Sequence, residues 1–293
     1  MKKAKILLIN PPVSTEALYG KFSGGGSDLP PLSLCYIASY LLKYGKSVSI
    51  LDTAKLRLSI TEINKRISEC SPDIVGFYTA TPYVNSVKML AKEIKAIWPE
   101  VLLIAGGPHF MGDPVNDIEN SQLDILVVGE GEQTSLEIIE AIEQSGKDDF
   151  LLNGAENIRG IVYKKNKNVY VNPPRELIND IDTIPLPARH LLPSLRTYKV
   201  SAVQYKRLPS SGMLTARGCP FKCVFCVCSV SRQKVRKHSI EYVMAEADEL
   251  IYRYGIRDIA FLDDVFTLDK DRTYGLYPKG GPYPPDARKY APA

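Results

Sequence analysis

Three cysteines that stand close together in the last third of the chain are the residues best suited to chemistry. Cys219, Cys223 and Cys226 form a CxxxCxxC pattern within the segment ARGCPFKCVFCVC, residues 216–228. Short spacings of this kind let several thiolates converge on one metal centre from a single loop. Three protein ligands also leave one iron of a 4Fe–4S cluster open to bind and activate a substrate. The spacing therefore favours an iron–sulfur cluster.

Zinc is the alternative metal for the same thiols. Structural zinc takes four ligands, usually as two separated pairs, and the sequence has no distant CxxC or HxxxH partner. Cys228 follows Cys226 after a single residue, which directs its thiol awkwardly for a fourth ligand, and His238 lies well beyond the motif. We interpret Cys228 as a packing cysteine and keep zinc as the less favoured metal.

Composition and length describe an ordinary globular chain. Its 293 residues suffice for two domains, and 45% of them are hydrophobic and 24% charged. The net charge of +4 gives no case for a nucleic-acid surface. The N-terminal apolar run, residues 6–9, is too short for a signal peptide, and no apolar stretch is long enough to span a membrane. These features predict a cytoplasmic protein, in which clustered cysteines are more often metal ligands or redox groups than disulfides.

The first 145 residues alternate between the periodicities of strands and helices. Apolar runs predict strands at 5–10, 47–52, 73–80, 101–107 and 123–132, and helical periodicity predicts helices at 33–45, 60–70, 84–98 and 135–142. Such alternation is typical of an α/β fold with a doubly wound parallel sheet of the Rossmann or flavodoxin type. We assign this domain to residues 1–148.

The alternation of strand and helix patterns ends after this domain. Residues 157–172 predict a hairpin, and a proline-rich stretch follows, so we assign 149–200 to a hairpin and linker. A second domain, 201–272, begins with a strand at 211–219, a helix at 240–254 between Ser239 and Gly255, and a strand at 258–264. Residues 273–293 are rich in proline and glycine and predict an irregular tail.

The cysteine segment resembles a known motif. RGCPFKCVFC, including its arginine and glycine, closely resembles the cluster motif of radical S-adenosylmethionine (SAM) enzymes, in which the loop follows the first strand of a partial (β/α) barrel. The resemblance implies that Cys219, Cys223 and Cys226 hold the cluster and that Phe225 lies against the adenine of SAM. FLDDVFTLDKDR, residues 261–272, resembles the second-strand motif, which implies that Asp263 and Asp264 contact the amino group of SAM. Two carboxylates on a solvated loop are the alternative.

The strand ends of the first domain are the second candidate site, because ligands of doubly wound sheets bind at the carboxyl ends of the strands. Glycines there let a large ligand approach the backbone, although each could equally serve a tight turn. With PPLSLCYIASYL, residues 30–41, these ends resemble the cobalamin-binding domain that precedes many radical SAM barrels. The candidate contacts are Asn10, Pro11, Thr79, Thr81, Gly106, Gly107, Gly129, Glu130 and Gly131.

The first domain lacks two known cofactor-binding motifs. DxHxxG, whose histidine ligates cobalt in some cobalamin proteins, is absent, so no histidine is assigned to cobalt and His109 is interpreted as a loop residue. The first strand is followed by NPPV rather than GxGxxG, which argues against NAD. GKFSGGGSD, residues 20–28, does not end in GK[ST] and is interpreted as a mobile loop over the cofactor face rather than a phosphate loop.

The resemblance implies a cobalamin-dependent radical SAM enzyme that methylates an unknown small molecule or, like the anaerobic Mg-protoporphyrin ester cyclases, closes a ring. Its cofactors would be a 4Fe–4S cluster, SAM and cobalamin, with flavodoxin or ferredoxin as electron donor and neither nucleic acid nor membrane as partner. A methylthiotransferase is disfavoured, because outside the motif region only Cys35 and Cys70 occur. With only two βα units counted, a truncated, non-catalytic binding fragment is the other alternative.

Overall fold

A computed structural model of the chain describes residues 3–14, 18–198, 200, 205–226 and 234–276. They divide into two compact units: the described residues within 1–23, 31–178 and 184–192 form the first, and the described residues within 24–30, 179–183 and 193–293 form the second. Within the described ranges, no helix is both long and apolar enough to cross a membrane.

A seven-stranded sheet forms the centre of the first unit. Its strands are β1 (Lys5–Asn10), β2 (Ser47–Asp52), β3 (Ile74–Tyr78), β4 (Leu102–Gly106), β5 (Ile125–Val127), β6 (Ile161–Lys165) and β7 (Asn168–Val171). They lie in the order β2-β1-β3-β4-β5-β6-β7, and the first five are parallel. The parallel part has the flavodoxin-like 2-1-3-4-5 order, with its topological switch point between β1 and β3. The predicted doubly wound sheet is confirmed.

Helices follow the parallel strands. They are α1 (Leu32–Lys43), α2 (Thr53–Leu56), α3 (Ile60–Cys70), α4 (Val84–Ile97), α5 (Pro114–Glu119), α6 (Gly131–Ser145) and α7 (Lys147–Asp149). The bounds of α3 agree with the prediction because its start is encoded locally. The Ser59 hydroxyl accepts from the Glu62 backbone N–H, and the Glu62 carboxylate accepts from Ser59 N–H, which is a capping box.

Short helical turns complete the first unit. They comprise Thr81–Tyr83, Pro108–Met111, Phe150–Gly154, Ala155–Asn157 and Arg189–Leu191, and the first four residues of the turn Gly20–Gly25. The segment expected to be a mobile loop, 20–28, thus contains a helical turn.

The core covers both faces of the sheet, as a parallel sheet requires. Alternate side chains of β1 point to opposite faces. Ile6 and Leu8 belong to a buried cluster that includes Leu34 and Leu41 of α1. Leu7 and Ile9 belong to the cluster on the other face, with α3 and α4. This two-sided burial fixes the strand register and therefore the line along which the strand ends meet.

The predicted hairpin is the edge of the main sheet rather than part of a connecting segment. β6 and β7 are antiparallel and turn through Asn166 and Lys167, which have φ of 51° and 68°. Positive φ at both central residues is the geometry that two-residue hairpins favour. β6 also pairs antiparallel with β5, Val127 opposite Ile161, and this pairing carries the sheet beyond its parallel part.

The second unit contains two small sheets. Its strands are β8 (Ser210–Met213), β9 (Ala216–Arg217), β10 (Arg236–Lys237) and β11 (Asp258–Phe261), with helices α8 (Ile240–Asp248) and α9 (Lys270–Leu276) and turns at Ile181–Thr183, Leu195–Thr197, Glu249–Arg253 and Phe266–Leu268. β8 and β11 are parallel, and β9 and β10 antiparallel. The predicted order of strand, helix and strand is present, with Ser239 capping α8 and Gly255 following it at φ 66°.

Three details of this unit differ from the prediction or fall outside it. The strand expected at 211–219 divides into β8 and β9. Helix α9 covers the first residues of the segment expected to be irregular. Cys228, residues 201–204 at the expected domain start, and the tail from 277 lie outside the described residues.

Candidate functional site

The three motif cysteines lie on a loop that leaves strand β9. Gly218, at φ 96°, turns the chain there, and the Cys226 N–H donates to the Cys223 carbonyl at 3.0 Å. None of the three forms a disulfide; Cys223 is exposed, and Cys219 and Cys226 are half-buried. In the described part of the chain, no three cysteine, histidine or acidic side chains gather as a metal site. The soft thiolate donors fit iron, and binding a metal with all three would require the loop to close around it.

Apolar side chains between the cysteines point outward. Val224 and Phe225 are 99% and 90% exposed, and Phe221 is more than half exposed. Phe225 is the residue expected against the adenine of SAM. Its ring is accessible, and a flat partner covering it would remove apolar surface from water.

The two carboxylates after β11 have different surroundings. Both oxygens of Asp263 are engaged: Oδ1 accepts from the backbone N–H of Thr215 at 2.6 Å and of Ala216 at 3.2 Å, and Oδ2 accepts from the Thr215 hydroxyl. The exposed carboxylate of Asp264 has no hydrogen-bond partner among the described residues. The carboxylate of Asp263 is thus hydrogen-bonded to the turn between β8 and β9. Thr215, in that turn, lies four residues before Cys219.

Arg272 completes this arrangement. Its guanidinium donates to the Thr215 hydroxyl at 2.9 Å, to the Thr215 carbonyl at 2.8 Å and to the His238 carbonyl at 3.0 Å. Burial lowers the pKa of Arg272, and the neighbouring charges of Asp263 and Asp269 oppose that shift. No local sequence pattern points to Arg272, because its partners are distant in the chain.

A buried histidine lies next to the same group of residues. His238 Nδ1 is 2.8 Å from Asp182 Oδ1, and its ring stacks on Tyr242 with centroids 3.8 Å apart. Burial lowers the pKa of His238, although the hydrogen bond and charge of Asp182 act against it. Burial alone would raise the pKa of Asp182, but hydrogen bonds from Ser239 and His238 outweigh it and the net shift is downward. His238 is therefore part of a folded network and not a spare zinc ligand.

In the first unit, the end of β1 is bonded to the end of β2. The buried side chain of Asn10 donates to Asp52 Oδ1 at 2.8 Å, and the Thr53 hydroxyl donates to the Asn10 carbonyl at 2.6 Å. Pro11, which follows, is buried. Asp52 and Thr53 were not predicted as site residues, although a charged residue that ends an apolar strand is the signal that points to them.

Strand ends β3 and β4 are joined at Thr79. Its N–H donates to the Gly106 carbonyl at 2.7 Å, and its carbonyl accepts from the His109 N–H. Gly107 has φ 129° and ψ 176°, a conformation essentially restricted to glycine, and a Cβ there would lie 2.4 Å from the Thr79 carbonyl oxygen. The Thr79 hydroxyl is fully buried and has no hydrogen-bond partner among the described residues. A polar ligand group at this edge would satisfy it.

The remaining predicted contacts of the first unit divide between open and occupied positions. Thr81 is exposed and its hydroxyl lies 3.2 Å from His109 Nδ1. His109 Nε2 is 3.2 Å from Asp117 Oδ2, so both ring nitrogens are engaged. Glu130 accepts from the Ile178 N–H at 2.9 Å.

The glycines at the end of β5 differ in the space around them. A Cβ at Gly129, where φ is 97°, would meet nothing within 4 Å, whereas one at Gly131 would lie 3.1 Å from Ile37. Gly129 therefore leaves open backbone for a ligand, and Gly131 permits close packing of α6 on α1.

Two tyrosines frame the end of β3. Tyr78 and Tyr83 meet edge to face with centroids 5.9 Å apart. Burial raises the pKa of both phenols, and for Tyr83 the neighbouring Tyr78, Tyr19 and Asp52 raise it further. Both therefore stay neutral hydrogen-bonding groups at physiological pH.

Comparison with known families assigns one family to each part of the chain. Residues 25–139 match the family described as "B12 binding domain", and residues 213–277 match the "Radical SAM superfamily". The chain is 38% identical, over 94% of its length, to an uncharacterized methyltransferase of Pyrococcus horikoshii, covering 57% of that protein. It is 26% identical, over 87% of its length, to the anaerobic magnesium-protoporphyrin IX monomethyl ester cyclase of Rubrivivax gelatinosus, covering 46% of that protein.

The fold also matches a solved structure. The radical S-adenosylmethionine methyltransferase TsrM from Kitasatospora setae, solved with tryptophan and a SAM analogue, aligns with 94% of this chain and 50% of its own, at a TM-score of 0.69 and 20% identity. At that identity the likeness concerns the fold. The chain spans about half the length of the relatives it matches. The chain therefore carries a B12-binding domain followed by a radical SAM domain.

Proposed function

We propose that this chain is the cofactor-binding part of a cobalamin-dependent radical SAM methyltransferase. The observation that carries the proposal is the loop with three cysteines outside any disulfide, Cys219, Cys223 and Cys226, directly after strand β9 of the unit that matches the radical SAM superfamily. These cysteines would hold a 4Fe–4S cluster. The 38% identity to a methyltransferase supports methyl transfer as the reaction.

The cluster loop and the pair of carboxylates that follows β11 are proposed to form the SAM site. The exposed ring of Phe225 offers a stacking surface for adenine, and the carboxylates after β11, Asp263 and Asp264, supply negative charge for the amino group. When bound, the cluster would supply the electron that cleaves SAM. The protein's part is to hold the cluster through three thiolates, to orient SAM and to cover it from water.

The carboxyl end of the main sheet is proposed to bind cobalamin. The buried, unpartnered hydroxyl of Thr79 and the open backbone at Gly129 fit a large ligand with polar groups at this edge. Asn10, Pro11, Thr81, Gly106, Gly107, Glu130 and Gly131 are the other proposed contacts, several of them through their backbone. The bound cobalamin would carry the methyl group, and no histidine is proposed as a cobalt ligand.

Ring closure is the second candidate reaction, supported by the 26% identity to a magnesium-protoporphyrin ester cyclase. Either reaction acts on a small molecule, and either needs an external electron donor, for which flavodoxin or ferredoxin is proposed. The cytoplasm is the proposed location, supported by five cysteines among the described residues, none of which forms a disulfide.

The test is SAM cleavage by anaerobically reconstituted protein. We expect 5′-deoxyadenosine by chromatography from the parent chain and from Cys70→Ala, whose exposed thiol lies outside the motif, and none from Cys223→Ala. Each chain's iron and zinc are measured alongside. Equal product from both variants would contradict the ligand assignment, and zinc in place of iron would make the loop a zinc site. A cluster without product in the parent would identify a non-catalytic binding fragment.

A further inference from the structure

We propose that the adjacent carboxylates Asp263 and Asp264 have different tasks: Asp263, with Arg272, positions the start of the cluster loop through Thr215, and Asp264 alone binds the amino group of SAM. The inference rests on the proposed function, because it concerns the same cluster and the same co-substrate. It also divides between two residues a role that the motif assigns to the pair.

Thr215 is the residue through which Asp263 and Arg272 hold the start of the cluster loop. This fully buried residue lies between β8 and β9. Its N–H donates to Asp263, its hydroxyl donates to Asp263 and accepts from Arg272, and its carbonyl accepts from Arg272 and from the His238 N–H. Every polar atom of Thr215 is therefore held, and the direction in which the chain leaves toward Cys219 is fixed.

The carboxylate of Asp263 has most of its hydrogen-bond acceptor positions occupied. A carboxylate oxygen has two lone pairs. Oδ1 already accepts from two backbone N–H groups, and Oδ2 accepts from the Thr215 hydroxyl. The charge of Arg272 lies close enough to Asp263 to interact with it. Only one acceptor position, on Oδ2 of this half-buried carboxylate, is left for a further donor, so Asp263 offers an ammonium group less than an unengaged carboxylate does.

Asp264 has an exposed carboxylate whose acceptor positions are available, unlike most of those of Asp263. It follows the same strand, its side chain is exposed, and its carboxylate has no hydrogen-bond partner in the part of the chain that the structure describes. A carboxylate in this state can form charge-assisted hydrogen bonds with an ammonium group without breaking any existing bond. The geometry therefore favours Asp264 for this contact.

Paired substitutions separate the two tasks. We expect Asp263→Asn to lower iron and sulfide incorporation several-fold during anaerobic reconstitution, because an amide nitrogen cannot accept from Thr215. We expect Asp264→Asn to load a full cluster and to weaken SAM binding about tenfold or more, measured per loaded cluster by equilibrium dialysis with labelled SAM. Asp258→Asn is the matched control: it lies at the other end of β11, bonded to Lys206 N–H and the Ser210 hydroxyl.

A second pair tests the positioning role without changing charge. Thr215→Ser keeps the hydroxyl and should load iron as the parent does, whereas Thr215→Val removes it and should load poorly, with an altered electron paramagnetic resonance (EPR) line shape in the clusters that do form. If Asp263→Asn fails to fold, these two Thr215 variants still test whether the hydrogen bonds of Thr215 position the cluster loop.

Two outcomes would overturn the inference. One is normal loading by Asp263→Asn with SAM affinity lost, which would make Asp263 the contact. The other is full loading by Thr215→Val. Absence of a cluster in the parent chain is a different result, because it would contradict the proposed function itself.

Discussion

At the residue scale, hydrogen bonding shows which polar side chains the fold already uses and which remain available to a ligand. Asn10 is already bonded to Asp52, and Asp263 to Thr215. Thr79 differs, because its buried hydroxyl is unpartnered among the described residues. An unsatisfied buried hydroxyl costs about 1–3 kcal/mol, and a ligand that bonds to it recovers part of that cost.

Thr79→Val tests this interpretation, because valine keeps the shape and removes the hydroxyl. We expect the ligand-free protein to be as stable as the parent or more stable by about 1 kcal/mol. We expect cobalamin affinity, from visible absorption titration, to fall by up to about tenfold, since a neutral hydrogen bond contributes about 0.5–1.5 kcal/mol. Thr79→Ser, which retains the hydroxyl, is the control. Equal cobalamin affinity in the valine and serine variants would show that the hydroxyl does not reach the ligand.

At the element scale, contacts local in sequence were predictable and distant ones were not. The bounds of α3, predicted from periodicity, were correct because the helix start is encoded locally, by a capping box in which Ser59 and Glu62 are three residues apart. The hairpin was predicted from its own turn, but its place at the sheet edge depends on pairing with β5, which no local pattern encodes. Likewise Thr215 and Asp263 are 48 residues apart, and His238 and Asp182 are 56 apart. The resemblance of residues 261–272 to a family motif marked Asp263 as functional, whereas only the fold shows which group its carboxylate binds.

The contact between His238 and Asp182 predicts a pH dependence of stability. Burial lowers the pKa of His238 below its ordinary value of 6.5, and Arg217 and Arg272 add to that shift while Asp182 opposes it. Between the folded pKa and about 6.5 the unfolded chain binds more protons, so unfolding free energy falls as pH drops through this window. The lowered pKa of Asp182 acts only below about 3.8.

Thermal unfolding from about pH 7.5 to about pH 5 measures this effect. His238→Asn replaces the ring with an amide that can donate to Asp182 but does not titrate, and its melting temperature should decline less over this range than that of the parent chain. Parallel curves for the two proteins would show that His238 does not control stability in this window.

At the scale of the whole molecule, the two units present two separate ligand chemistries. The first unit has a flavodoxin-order sheet with polar groups and open backbone at its carboxyl edge. The second has a thiol loop held at its base by Asp263, Thr215 and Arg272. The order of domains, the α/β class and the three thiols could be read from the sequence. The network at the base of the loop could not, because it joins segments that meet only in the folded chain.

The most direct test of the central claim is EPR on anaerobically reconstituted, dithionite-reduced protein, recorded with and without SAM. A cluster held by Cys219, Cys223 and Cys226 has one iron without a protein ligand. We therefore expect a 4Fe–4S signal whose g-values shift when SAM is added. A cluster signal indifferent to SAM would contradict binding at the open iron, and the absence of any cluster would contradict the assignment of the three cysteines.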